Sequence, residues 1–190
     1  MTSRIQIRRD TDAAWSSANK VLASGEFGLA TTTGTLKLGD GVTAWNSLVS
    51  VYTPWTTYSP TWTSLDGVTT GVVGTGGSLA GKYMKVGKTV DFVIRLKIGS
   101  SGTTIPTTQW RFSLPVAPVT NVTDDWIFSG LAVDSSPSAK YLASATNNSS
   151  YANHVVAWSA ATLAAITSTA PITWASGDTL TISGRYESAT

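Results

Sequence analysis

The sequence predicts a mainly β protein with one short helix: a small N-terminal module, then an antiparallel β-sandwich or jelly-roll domain. Apolar and polar residues alternate in many short segments, which is the pattern of half-buried strands. Turn residues separate these segments at short intervals. Thr, Ser and Gly are abundant and only 13% of residues are charged, a composition that favours strands and turns over helices.

Residues 1–51 are predicted to form the first module. The segment 4–8 alternates, with Ile5 and Ile7 on one face, and indicates a strand. A hairpin follows around the turn 31–34, because apolar residues alternate on both sides of it. These residues are Phe27, Leu29, Leu36 and Leu38.

A helix of about two turns is predicted over residues 12–18. Thr11 or Asp10 is the candidate N-cap, and Asn19 is the candidate C-cap because Asn tolerates the left-handed conformation. So short a helix needs tertiary support, so Trp15 must pack on something.

The module is too small to bury much of its own surface, and the chain has no Cys to staple it. Oligomerisation is the remaining source of stability.

Residues 52–63 are predicted to be an extended connector, since Pro54 and Pro60 restrict the backbone around them. Residues 64–190 are predicted to form the antiparallel β-sandwich. The clearest strand is 89–98, and Trp126–Phe128 and Leu131–Val133 are interpreted as a pair of strands. The glycine-rich segment 71–81 indicates either a mobile loop or a close approach of another backbone.

The residue inventory argues against an enzyme and against a cofactor. Without Cys and with a single His, the chain cannot supply a conventional zinc site. His154 lies in no nucleophile motif, and the carboxylates at Asp66, Asp91, Asp134, Asp178 and Glu187 are interpreted as solvated. We therefore expect no catalytic residue, no cofactor and no metal ligand.

The charge and hydropathy patterns argue against two further classes of partner, nucleic acids and membranes. A net charge of +2, with scattered cations, does not favour a nucleic-acid partner. The most apolar stretch, 154–166, is too short for membrane insertion.

A glycan surface needs exposed aromatic rings next to polar side chains. Trp110, Trp126, Trp158 and Trp174 are interpreted as core residues. The clustered candidates for glycan contact are Tyr141, Asn147, Asn148 and Tyr151, with core or simple loop as the alternative interpretation.

The N-terminal residues resemble a repeated opening of bacteriophage tail proteins, the N-terminal domain of the major tropism determinant family. The residues that carry this resemblance are Ile5–Arg9, Ala14–Trp15, Ala18–Asn19, Val21–Ala23, Gly25–Glu26, Gly28, Thr33–Gly41 and Thr43–Leu48. The remainder is similar, more loosely, to C-terminal domains of actinobacterial phage structural proteins. That similarity rests on Tyr58–Trp62, Gly81–Tyr83, Val86–Val90, Trp110–Pro115, Trp174–Asp178 and Tyr186–Glu187.

The resemblance implies that the first module is β-prism-like and trimeric. It further implies a homotrimer on the virion surface, made in the host cytoplasm, whose first module attaches to other phage virion proteins. The expected function is a tail fibre, spike or receptor-binding protein whose β-sandwich binds host-surface carbohydrate. The alternative is a capsid or tail decoration protein that binds only virion proteins. The residues expected at the trimer interface are Ile5, Ile7, Trp15, Phe27, Leu29, Leu36, Leu38 and Trp45.

Overall fold

The computed structural model of the protein describes residues 6–119, 126–136, 138–147 and 153–190. Within them the fold is mainly β with one helix, α1 (Asp12–Ala18), which confirms the predicted fold class. The chain divides into two compact units, Met1–Trp55 with Met84–Thr89, and Thr56–Tyr83 with Val90–Thr190. The strands are β1 (Arg8–Asp10), β2 (Phe27–Ala30), β3 (Thr35–Leu38), β4 (Ser50–Tyr52), β5 (Thr56–Tyr58), β6 (Trp62–Ser64), β7 (Ser78–Val86), β8 (Thr89–Lys97), β9 (Trp110–Ser113), β10 (Trp126–Asp134), β11 (Ala139–Asn147), β12 (His154–Ser159) and β13 (Thr179–Glu187).

The first unit contains a four-stranded sheet in the order β1-β2-β3-β4. The predicted hairpin is present, with Phe27 opposite Leu38 and Leu29 opposite Leu36. Within the described residues the first strand begins later than expected, at Arg8, where its pairing with the parallel strand β2 begins. Ile7 directly precedes it, and Ile5 lies outside the described residues.

Helix α1 has the predicted bounds and both predicted caps. Thr11 Oγ1 accepts a hydrogen bond from the Ala14 amide at 3.2 Å, which satisfies one free donor of the first turn. Asn19 adopts the left-handed conformation (φ 39°, ψ 42°), and its amide donates to the Trp15 carbonyl at 2.9 Å. The caps therefore fix both ends of a helix that propensity alone would not hold.

The core of the first unit is small and lies between the helix and one face of the sheet. Trp15 is 2% exposed, Trp45 is 4% exposed, and the two indole rings stack on each other. Leu22, Ala30 and Leu48 complete the buried cluster. Trp15 also donates from Nε1 to the Leu29 carbonyl at 3.0 Å, which ties the helix to β2.

The second unit is built on a curled nine-stranded sheet in the order β5-β7-β8-β13-β10-β11-β12-β9-β6. The alternation predicted for residues 89–98 is confirmed, since Val90, Phe92, Ile94 and Leu96 are all buried. Their side chains belong to one large core that contains several edge-to-face aromatic pairs. Trp110 and Trp174 lie in this core as predicted, whereas Trp126 and Trp158 are half-buried.

Three segments of the second unit differ in detail from the sequence interpretation. Residues 126–134 form one continuous strand, not a pair, because Gly130 stays extended within the ladder between β11 and β13. The connector 52–63 contributes β5 and the first residues of β6. The glycine-rich segment 71–81 includes close approaches, for a Cβ on Gly77 would lie 2.3 Å from the Val73 carbonyl oxygen.

Asp178 is not solvated but is 1% exposed. Its carboxylate accepts hydrogen bonds from the Ser135 amide at 2.8 Å, the Ser135 hydroxyl at 3.0 Å and the Ala175 amide at 2.8 Å. Buried carboxylates need such partners. Asp178 therefore joins the turn before β13 to the turn after β10.

Candidate functional site

The two faces of the four-stranded sheet carry different residues. Gly28 and Ala30 face the core, where a Cβ on Gly28 would lie 2.6 Å from Cζ3 of Trp45. Because side chains alternate along a strand, Phe27 and Leu29 project from the opposite face. Within the described residues of the single chain, no element packs over Phe27 on that second face. The Phe27 side chain is 42% exposed.

We call this second surface the open face and define it by six residues from four neighbouring segments. Leu38 and Leu36 lie opposite Phe27 and Leu29 in β3, and Tyr52 lies opposite Leu36 in β4. Ile7 precedes Arg8, whose guanidinium lies on the core side, so Ile7 projects the other way. The open face therefore consists of Ile7, Phe27, Leu29, Leu36, Leu38 and Tyr52.

The exposure of the open face is high for such apolar residues. Ile7 is 40% exposed, Leu38 is 38% and Tyr52 is 52%, whereas Leu29 and Leu36 are half-buried. Scattered exposed apolar residues are normal, but contiguous ones mark an interaction surface. The open face is contiguous because its members are neighbours in the ladder.

Two cationic side chains of this sheet lie on its core side, opposite the open face. Arg8 lies over the Trp15 ring, 5.1 Å from its centroid, and Lys37 lies over the Trp45 ring at 4.9 Å. Lys37 Nζ also donates to the Trp45 carbonyl at 2.7 Å, and burial lowers the pKa of this amine. Arg9, which is paired with Leu29 in β1, is the cation on the open-face side of the edge strand.

The structure brings most of the expected interface residues together, but it separates the two tryptophans from them. Ile7, Phe27, Leu29, Leu36 and Leu38 share the open face. Trp15 and Trp45 instead fill the core behind it and offer almost no surface to a second chain. The sequence pattern could not distinguish these roles, since both kinds of position carry large apolar side chains.

The candidate glycan contacts do not form an exposed cluster in the described part of the chain. Tyr141 is half-buried and packs against the core. Asn147 is 1% exposed and donates from Nδ2 to the His154 carbonyl at 2.5 Å. Asn148 and Tyr151 lie outside the described residues.

The turn at Asp40 is held by its own carboxylate. The carboxylate accepts hydrogen bonds from the Thr43 hydroxyl at 2.5 Å, the Thr43 amide at 2.7 Å and the Val42 amide at 2.9 Å. These hydrogen bonds, that of the Thr43 hydroxyl foremost, lower the pKa of Asp40 to about 2. Among the described residues, no group of three His, Cys, Asp or Glu side chains could hold a metal ion.

Sequence reasoning missed a cleft in the second unit, with a volume of about 400 Å³. Residues of β5, β7 and β8 line it, among them Tyr58, Gly81, Lys82 and Arg95. The available signal was the alternation of β8, which places Arg95 on the outer face of the sheet. The described part of the chain contains no helix long and apolar enough to cross a membrane.

Comparison with known proteins relates the first unit to one family. Residues 5–43 match the family model described as the major tropism determinant N-terminal domain, which confirms the resemblance stated for the N-terminal residues. The looser similarity stated for the remainder of the chain stays a prediction. This match indicates a virion-associated phage protein of the tail or fibre type. No curated protein matches the chain. A search of solved structures also gives no match.

Proposed function

We propose, from the tropism-determinant-type domain at residues 5–43, that the protein is a non-enzymatic structural component of a phage tail or fibre. Three copies associate through the open faces of their first units. The first unit attaches the trimer to other virion proteins, and the second unit is presented for adhesion to host-surface carbohydrate.

One observation carries the proposed self-association: a contiguous apolar sheet face stays exposed although the same unit buries two tryptophans on the other face. Burying an apolar side chain from water stabilises a contact by about 25 cal/mol per Å². A second copy of the same face is a suitable occupant, because it is equally apolar. Closed symmetry also lets every copy bury its face in the same way.

The size of the first unit supports the same proposal. Its core cluster contains only five buried residues in the described part of the chain: Trp15, Leu22, Ala30, Trp45 and Leu48. A unit with so small a core gains little stability from internal burial. Association through Phe27, Leu36 and Leu38 would add apolar burial without new secondary structure.

Analytical ultracentrifugation of the full chain tests the proposal. We expect three chain masses for the wild type and one for Phe27→Asp or Leu36→Asp, because a carboxylate in an apolar interface has no partner. Val42→Asp is the matched control, since Val42 is an 80% exposed residue of the same unit outside the open face. Far-UV circular dichroism of each variant distinguishes loss of association from loss of folding.

A wild-type chain that sediments as a folded monomer at micromolar concentration would overturn the proposed trimer. A trimer that survives Phe27→Asp and Leu36→Asp would show that a different surface joins the copies. The alternative role, decoration of the head or tail, predicts a trimer that is silent across an array of bacterial wall polysaccharides.

A further inference from the structure

The cleft in the second unit combines two cations with apolar and hydroxyl-bearing walls. Lys82 of β7 and Arg95 of β8 are both exposed and both line the cleft. Thr57 lies opposite Lys82 in the ladder between β5 and β7. The cleft is thus formed on the outer side of the sheet, where these alternating positions point.

Neither cation is neutralised by a neighbour in the described part of the chain. Within residues 6–119, 126–136, 138–147 and 153–190, Lys82 and Arg95 form no ion pair and no side-chain hydrogen bond. The nine residues that line the cleft, all of them described, include no Asp or Glu. Asp91, the acidic residue of β8, accepts two hydrogen bonds from Arg185, of 2.9 and 3.1 Å.

Tyr58 supports the cleft from behind, because its ring packs against the core on the other side of β7. A Cβ on Gly81 would lie 2.2 Å from Cε1 of Tyr58, so the ring packs directly on the β7 backbone. The phenol donates to the Ser113 carbonyl at 3.3 Å, and the ring meets Tyr83 edge to face at 5.9 Å. Burial, more than the charge of Tyr186, raises the pKa of Tyr58, so the hydroxyl stays neutral.

We propose that this cleft binds an acidic saccharide, with its carboxylate or phosphate between Lys82 and Arg95 and its sugar ring over the apolar wall. The inference rests on the adhesive role proposed for the second unit, and it names the ligand class and the site. The volume of about 400 Å³ falls in the range of small-ligand sites. Ala80 and Val93 offer apolar surface to the C–H face of a sugar, and Thr57 and Ser59 offer hydroxyls.

Three purified probes distinguish a carboxylate from a phosphate as the anion: a tetragalacturonate, a phosphorylated maltotetraose and neutral maltotetraose. Binding to the full chain is measured by isothermal titration calorimetry. We expect binding of the uronate or of the phosphate probe, weakened as salt concentration rises, and no comparable binding of maltotetraose. The preferred anionic probe identifies the anion.

Charge-reversal variants test the position of the site. Lys82→Glu and Arg95→Glu should each weaken binding of the preferred probe about tenfold, because one attraction becomes a repulsion. Lys140→Glu is the matched control: it makes the same charge change on β11, three strands from β8 in the sheet order, and should leave the affinity unchanged.

Equal binding of the neutral probe, absence of binding by both anionic probes, or indifference to both reversals would overturn the inference. Sedimentation of the same samples reports separately on the proposed trimer. A trimer that binds neither anion contradicts only the cleft assignment. A monomer that binds an anionic probe would support the cleft assignment and would contradict the proposed trimer.

Discussion

The indole rings of Trp15 and Trp45 stack with their centroids 4.1 Å apart and an angle of 12° between their planes. One ring comes from helix α1 and the other from the loop that precedes β4, so the stack joins two distant parts of the chain. It also supports the open face from behind, because both rings pack under Gly28 of β2.

Removal of either stacked ring should destabilise the first unit strongly. We expect Trp15→Ala and Trp45→Ala each to lower the free energy of unfolding by about 3–5 kcal/mol, since both transfer and cavity costs apply. Trp55→Ala is the control, because Trp55 is 52% exposed. Urea denaturation followed by circular dichroism measures the difference, and equal effects of all three substitutions would contradict the role of the stack.

Gly28 should tolerate no side chain. A Cβ there would meet Cζ3 of Trp45 at 2.6 Å and Cδ1 of Leu22 at 2.9 Å. We expect Gly28→Ala to destabilise the chain by about 1–3 kcal/mol through overpacking. Differential scanning calorimetry gives the measurement; an unchanged melting temperature would show that Trp45 and Leu22 can move away without cost.

Asp178 should be needed for the stability of the second unit. Asp178→Asn keeps the shape but turns an amide group toward backbone and hydroxyl donors, so at least one buried donor loses its acceptor. We expect a loss of about 1–3 kcal/mol in chemical denaturation. Asp134→Asn is the control, since Asp134 accepts one bond, from the Ser136 amide, that an Asn oxygen can also accept.

Asp40 should titrate at unusually low pH. Its folded-state pKa of about 2 lies below the ordinary value of 3.8, so its stabilising contribution is present above pH 3.8 and is lost as the pH falls through about 2. NMR titration of the side-chain carboxyl carbon measures this pKa directly. Thr43→Val should raise it toward the ordinary value, whereas Thr43→Ser keeps the hydroxyl and should leave it low.

Local signals predicted the local structure well. Thr11, Asn19 and the helix between them form as expected, because caps act through the nearest backbone groups. The strand Thr89–Lys97 was equally clear, since strict alternation over nine residues has one interpretation.

Non-local pairing was not predictable in the same way. Arg8–Asp10 pairs in parallel with β2 across the intervening helix, and no short-range pattern encodes that choice. The cleft was missed for the same reason: Lys82 and Arg95 become neighbours of Tyr58 only after β5, β7 and β8 assemble. Most of the open face, by contrast, was predictable, because its residues in β2 and β3 are the alternating apolar residues of one hairpin.

The segment Met84–Thr89 groups with the first unit although it lies far along the chain from Trp55. A fragment that ends at Trp55 would therefore keep helix α1, the four-stranded sheet and all five core residues, but would lack this segment of β7 and β8. Engineers who wish to transplant the association module would compare that fragment with one that retains the segment through a designed loop.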